Sequence, residues 1–388
     1  MMARRKWLQS GWSILACSVL AGCSSISLLN PFASSGPQPG PLPSVVEPVT
    51  LAPAFSVTLT AAPNRYLTPA VAGEVLIAAG GEGEVVAFGR QGETVWRTSV
   101  GAPIAAGIGS DGRLAAVVTD RGEVVALNVS DGSVRWRRPA GLFTLTPPVV
   151  LDGLVIVRAI DHRLLAFAAL DGEPRWRYDR PLPPLSLRQS APLVASGGAL
   201  FVGYPGGAVA AIDPQRGQPI FELTVAPPKG TTEIERLTDI VGPVVLARNE
   251  LCAAAYQGRV ACFDLQNGQM VMSYPISSKV GIDRTLRSVV TVDENDRVVA
   301  IDLFSSALGW ENGAFGYRQL TRPVVVGSLI LVGDRDGMVH ALDGSDGRVR
   351  GRLSVASAPI VVPPLVLPDG RVAVQSQNGT LMVVEGVR

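Results

Sequence analysis

The chain has 388 residues, 47% hydrophobic and only 17% charged, with 34 basic against 33 acidic side chains. A net charge of +1, with no basic stripe interleaved with aromatics, argues against a nucleic-acid partner. Two histidines in the whole chain leave little room for acid–base or metal chemistry.

The N-terminus reads as a secretory signal. Arg4, Arg5 and Lys6 precede an apolar run of about ten residues, too short to span a bilayer, and the run ends at Leu20-Ala21-Gly22-Cys23. Leu-Ala-Gly-Cys resembles the bacterial lipobox, which implies removal of residues 1–22, lipidation of Cys23 and, with Ser24 following, retention at the periplasmic face of the outer membrane. Residues 23–53 are rich in Pro, Ser and Gly without periodicity, the composition of a flexible tether.

From residue 54 to 388 a repeat takes over. A turn residue followed by five or six mostly apolar positions recurs as GEVVAF, GEVVALN, HRLLAFA, GAVAAID, GRVACFD, DRVVAID, GMVHALD and GTLMVVE. Its fifth residue falls at Ala87, Ala126, Ala166, Ala211, Cys262, Ala300, Ala341 and Val383, a unit of about 40 residues. Two short Val-rich runs precede each anchor phrase, and turn pairs such as Asp131-Gly132, Asp171-Gly172, Asn267-Gly268 and Asp346-Gly347 follow it. A last run carries an aromatic at Trp96, Trp136, Trp176, Phe221 and Trp310. Four short strands per unit, eight times over, predict an all-β, eight-bladed β-propeller of four-stranded antiparallel blades. The last unit stops after its third strand, and an orphan run at 54–61 precedes the first. An N-terminal strand completing the final blade accounts for both and removes an exposed edge.

Signals for chemistry are poor. His162 occupies a turn position and His340 an alternating strand position, so both read as structural. Gly333–Gly337 and Asp343–Gly347 lack the length and closing Glu of an EF-hand and fall at ordinary repeat turns. No phosphate loop leads into a helix, and no cysteine nucleophile lies beside a histidine. No cofactor is expected. Cys252 and Cys262 flank a Gln-Gly-Arg turn, which in an oxidising compartment leaves two readings, a cross-strand disulfide or two buried thiols.

The repeat departs from its spacing twice, on either side of the fourth unit. The extra material is PLPPLSLRQS at 181–190 and APPKGTTEIERLTDI at 226–240. Both lie between the last strand of one unit and the first of the next, and such connectors emerge on one rim in adjacent sectors. Leu185, Leu187 and Arg188 are therefore expected beside Glu233, Glu235, Arg236, Leu237 and Asp239, as a patch with apolar anchors and a charged rim.

The A-x-D, D-G and W spacing resembles the pyrroloquinoline-quinone dehydrogenase repeat, but that family's adjacent-cysteine disulfide and calcium-ligand set have no match here, so the likeness concerns architecture. The lipobox, the tethered eight-unit repeat, LSLRQSAP and TEIERLTD together resemble the BamB family of propeller lipoproteins. That resemblance implies a non-catalytic scaffold that binds the POTRA domains of BamA and assists folding and insertion of outer-membrane β-barrels. It also implies BamA contacts at Leu185, Leu187, Arg188 and Asp239, with Arg236 added from its place in the patch. The family often has a second acid two residues beyond Asp239, where this chain has Val241. A quinoprotein dehydrogenase and a periplasmic peptide-binding propeller are the alternative readings.

Overall fold

The computed structural model describes residues 39–46, 48–187 and 191–387. Its strands form eight four-stranded antiparallel sheets arranged as a propeller. Blade 1 runs outward from the axis as Ala70–Ala72, Val75–Ala79, Glu84–Phe88 and Thr94–Ser99. Blades 2 to 7 repeat this order over residues 104–139, 149–178, 194–224, 240–274, 278–312 and 324–354. Blade 8 takes three strands from residues 365–385, and its fourth, outermost strand is Ala52–Thr58, paired antiparallel with Thr380–Glu385. The ring is closed by the N-terminal strand, as the leftover runs require.

Each predicted anchor lies on the third strand of its blade and is almost completely buried. Small side chains there let neighbouring sheets approach closely. In seven blades the pairing of third and fourth strands slips just after the anchor, for example between Ala87 and Phe88 and between Ala126 and Leu127. A bulge at a fixed place adds twist to the outer strand and bends it over the next blade. The core follows from this. It consists of eight apolar clusters, each shared by two neighbouring blades, and the last of them joins Leu381 and Val383 of blade 8 to Leu76 and Val86 of blade 1.

The turn pairs behave as their sequence demands. Gly132, Gly172, Gly268 and Gly347 have φ between +71° and +74°, where a side chain would be strained.

One expectation needs correction. The tether assigned to 23–53 is part of the packed body from Pro39 onward. Val46 N donates to Val349 O at 2.9 Å and Val49 N to Arg350 O at 2.7 Å, so the segment lies along the outer edge of blade 7. Arg318 Nη1 holds Gly40 O at 3.0 Å, and Arg352 reaches Pro43 O. The reason lies in the apolar residues among the prolines. Val45, Val49 and Leu51 join the clusters between blades 6, 7 and 8. The signal segment and Cys23 fall outside the described residues.

Candidate docking rim

The two off-pattern connectors meet. In a meandering blade, the connector to the next blade and the hairpin between the second and third strands lie on the same rim, and here they are bonded to one another. Asp239 Oδ2, at the end of the second connector, accepts the Leu187 N–H of the first at 2.5 Å. Its Oδ1 accepts Gly206 N–H at 3.3 Å, from the inner hairpin of blade 4. Its main chain bridges to Pro205, and its carbonyl accepts Tyr256 N–H of blade 5 at 2.8 Å.

This geometry changes the role expected for Asp239. At 3% exposure its carboxylate is turned inward and occupied by two main-chain donors, so it offers no charge to a partner at the surface. Burial pushes its pKa up, against the pull of those donors and of the nearby Arg158. Leu187 is half-buried against the cluster of blades 5 and 6, while Leu185 remains 39% exposed. Arg188 lies outside the described residues.

The second connector owes its irregular composition to a capping box. Thr232 Oγ1 accepts Glu235 N–H at 3.3 Å, and Glu235 Oε2 accepts Thr232 N–H at 3.0 Å and Thr231 N–H at 2.8 Å. These main-chain donors hold the Glu235 carboxyl down at about 2. Gly230, at φ +121°, makes the approach possible, since a Cβ there would fall 2.3 Å from the Glu235 Cβ. Arg236 N–H donates to Thr232 O at 3.1 Å and completes a single helical turn. That turn leaves Ile234 67% exposed and puts Glu233 and Arg236 in solvent. The amide of Gln257, on the inner hairpin of blade 5, lies 3.0 Å from Ile234 O and 3.2 Å from Leu237 O.

Beneath the rim lies a polar cluster that the sequence reading missed. Arg158, at the end of the second strand of blade 3, is 1% exposed. It donates to Ala191 O and Gly203 O, both at 2.5 Å, and to His162 Nδ1 at 2.8 Å. That last bond fixes His162 as the neutral tautomer with its proton on Nε2, and burial beside Arg158 pulls the His162 pKa down to about 4. Burial above all, with smaller pushes from Tyr178 and Glu222, raises the Tyr204 pKa against the pull of Arg158 and Arg180, and Arg180 covers the Tyr204 ring at 4.4 Å while pairing with Glu222 at 2.8 Å. The available signal was Arg158 itself, a charge inside an otherwise apolar strand.

Of the two readings left open for the cysteines, the disulfide holds. Cys252 and Cys262 face each other on neighbouring strands of blade 5, with Cα atoms 4.0 Å apart and both side chains fully buried. Both histidines are buried, His340 against Asp334 at 2.9 Å, and that aspartate also takes Arg318 Nε at 3.0 Å. The axis holds a cavity of about 470 Å³ lined by prolines, aliphatic side chains and the threonines Thr68, Thr146 and Thr321, with Lys279, Arg322 and Arg335 at its wall. Lys279 and Arg322 have acidic partners, Asp296 and Asp283. Among the described residues no three His, Cys, Asp or Glu side chains are grouped to hold a metal ion.

Fold and rim together define a rigid propeller that presents a structured loop pair on one rim, the architecture of a scaffold. The family described as "Outer membrane protein assembly factor BamB" matches residues 81–312. A relative of that name from Bordetella pertussis is 37% identical over 370 residues, covering 94% of this chain and 95% of its own. The crystal structure of BamB from Moraxella catarrhalis superposes with a TM-score of 0.80 at 27% identity, covering 87% of this chain and all of that one. A quinohemoprotein alcohol dehydrogenase from Comamonas testosteroni shares the fold alone, with a TM-score of 0.69 at 14% identity over 86% of this chain and 76% of its own. The chain belongs to the BamB family.

Proposed function

We propose that this protein is a non-catalytic accessory subunit of the outer-membrane β-barrel assembly (Bam) complex, and that its connector rim docks on the POTRA domains of BamA. Family membership supports the assembly role, and the bond between Leu187 and Asp239 is the observation that carries the docking site. It joins two otherwise unrelated loops and leaves Leu185 exposed on one and Ile234 and Arg236 exposed on the turn of the other. Apolar side chains of this kind anchor an interface by leaving water, and the surrounding charges select register and partner. Arg188 adds a cation to the same connector. Cys23 would carry the lipid that keeps the protein at the periplasmic face of the outer membrane, where more than one acyl chain makes anchoring stable.

Co-purification from detergent-solubilised envelope tests the docking site. Leu185→Ala and Arg188→Ala are expected to reduce recovery of BamA while thermal unfolding is unchanged. Full recovery with both variants would remove the first connector from the interface.

A further inference from the structure

Arg158 stands at a position that the repeat otherwise fills with small or uncharged residues. The residue two beyond the anchor's cross-strand partner is Ala79, Val118, Ala254 or Val292 in four blades, Gly203 or Gly333 in two, and Gln375 in blade 8. Gln375 shows what the position does when it is polar. Its Nε2 donates to Ala79 O of the following blade at 2.8 Å, and Arg158 Nη2 makes the equivalent bond to Gly203 O. The second arm of Arg158 is the departure. Nη1 holds Ala191 O, where the first connector re-enters blade 4. Four residues earlier Asp239 holds the Leu187 N–H. The later part of the connector is thus held at two points four residues apart by buried side chains of opposite charge, one from blade 3 and one from the second connector.

Among the described residues no carboxylate lies within hydrogen-bond reach of Arg158, and its Nε has no partner. A guanidinium buried among carbonyls is unfavourable for stability alone, and an apolar side chain of similar volume would pack there at less cost. Its presence there needs another reason, and the fork supplies one, because a planar donor pair fixes two carbonyls in a single geometry. We infer that Arg158 and Asp239 are positioning residues for the docking rim, fixing the first connector at Ala191 and Leu187 so that Leu185 is presented, and that neither touches the partner. This inference rests on the docking reading of the same rim.

The test uses the mature chain and the soluble POTRA domains of BamA, with affinity measured by calorimetry at two salt concentrations and amide exchange followed in the free protein. Arg158→Gln keeps one donor, as in blade 8, and should weaken binding by about tenfold, the scale of one lost buried charged hydrogen bond. Asp239→Asn keeps one acceptor for the Leu187 N–H but turns its amide nitrogen toward the Gly206 N–H, so it should weaken binding by up to about tenfold, with the same salt dependence. Asp239→Ala should bind more weakly than either, again with that salt dependence. Leu187 amide exchange should accelerate in Arg158→Gln and Asp239→Ala without any partner present. If Arg158→Gln does not fold, Arg158→Lys, which can satisfy one carbonyl at a time, takes its place. A flattened salt dependence in Asp239→Asn would make Asp239 a direct contact and overturn the inference. So would Arg158→Gln binding and exchanging like the parent. Normal binding by Leu185→Ala would instead sink the docking reading, with the exchange data still reporting on the clamp.

Discussion

Between blades 2 and 3, Trp136 pairs with the anchor Ala126, lays its ring over Gly172 and donates its indole N–H to Ala169 O at 2.9 Å. Between blades 4 and 5, Phe221 pairs with Ala211 in the same way but has no donor, and it remains 36% exposed. The tryptophan latch recurs at Trp96, Trp176 and Trp310, each with its indole N–H on a carbonyl of the following blade. It is missing too from blade 5, which has Met272 at the position, from blade 7, which has Gly351, and from blade 8, which has Phe55. Material outside the repeat lies at both kinds of interface, since the first connector follows the latched Trp176 of blade 3. The long second connector and the disulfide lie at blades 4 and 5, and Val49 of the N-terminal segment packs over Gly351. Latched interfaces hold neighbouring blades by a hydrogen bond that the unlatched ones lack.

Truncating the latch is the strongest test of that contrast. Trp136→Ala removes a buried aromatic and a hydrogen bond together and should cost about 3–5 kcal/mol. Phe221→Ala, already part-exposed, should cost less than about 2 kcal/mol. Urea unfolding of both variants at matched slopes gives the comparison, and equal losses would erase the distinction between the two kinds of interface. Next in size is the disulfide of blade 5. Replacing Cys252 and Cys262 by alanine opens a short loop and should lower stability by about 2–3 kcal/mol. Both sulfurs are buried, so reductant should have little effect on the native parent. Rapid reduction of the folded protein would show that blade 5 opens readily.

The repeated part of this molecule was legible in its sequence because each repeated element has a local cause. Val-rich runs make strands, Asp-Gly pairs make turns with positive φ, and an alanine every ~40 residues marks where sheets approach. The neighbourhood of the two connectors was legible for the same reason, since ring order alone makes consecutive loops adjacent. What stayed hidden depends on burial across blades. Asp239 reads as a surface acid in a polar phrase, and only the fold shows it turned inward. Arg158 reads as a strand end, and the N-terminal segment reads as a tether, because nothing local reports that Val45, Val49 and Leu51 find a groove beside blade 7.

A smaller effect separates the ground beneath the rim from the latched blades. His162, in the inner hairpin of blade 3, has its pKa held down at about 4 by burial, below its ordinary 6.5, so the unfolded chain holds more protons between pH 6.5 and 4. Stability from this group is therefore intact above pH 6.5 and is lost as pH falls toward 4, by about 2 kcal/mol at pH 5. His162→Asn suits the site, because φ is +65° and asparagine tolerates that conformation. The variant should flatten the loss between pH 7 and 5. An unchanged profile would mean that His162 reaches solvent at low pH without opening the blade.

The smallest effect belongs to the capping box, and it isolates the surface of the rim from its foundation. Glu235 stays ionised down to about pH 2, below its ordinary 4.5, so its contribution is intact at pH 5 and is lost as pH falls from about 4.5 through 2. At pH 5 the turn at Thr232–Arg236 should remain closed even as blade 3 weakens. Glu235→Ala should do the converse, releasing the Thr231 and Thr232 amides and speeding their exchange by about tenfold with the unfolding midpoint unchanged. Because Ile234 and Arg236 sit on that turn, the variant should also weaken POTRA binding without moving the Leu187 amide, which answers to Asp239. If Leu187 exchange rises together with that of Thr232, the two connectors form one cooperative unit, and the turn is a part of the clamp.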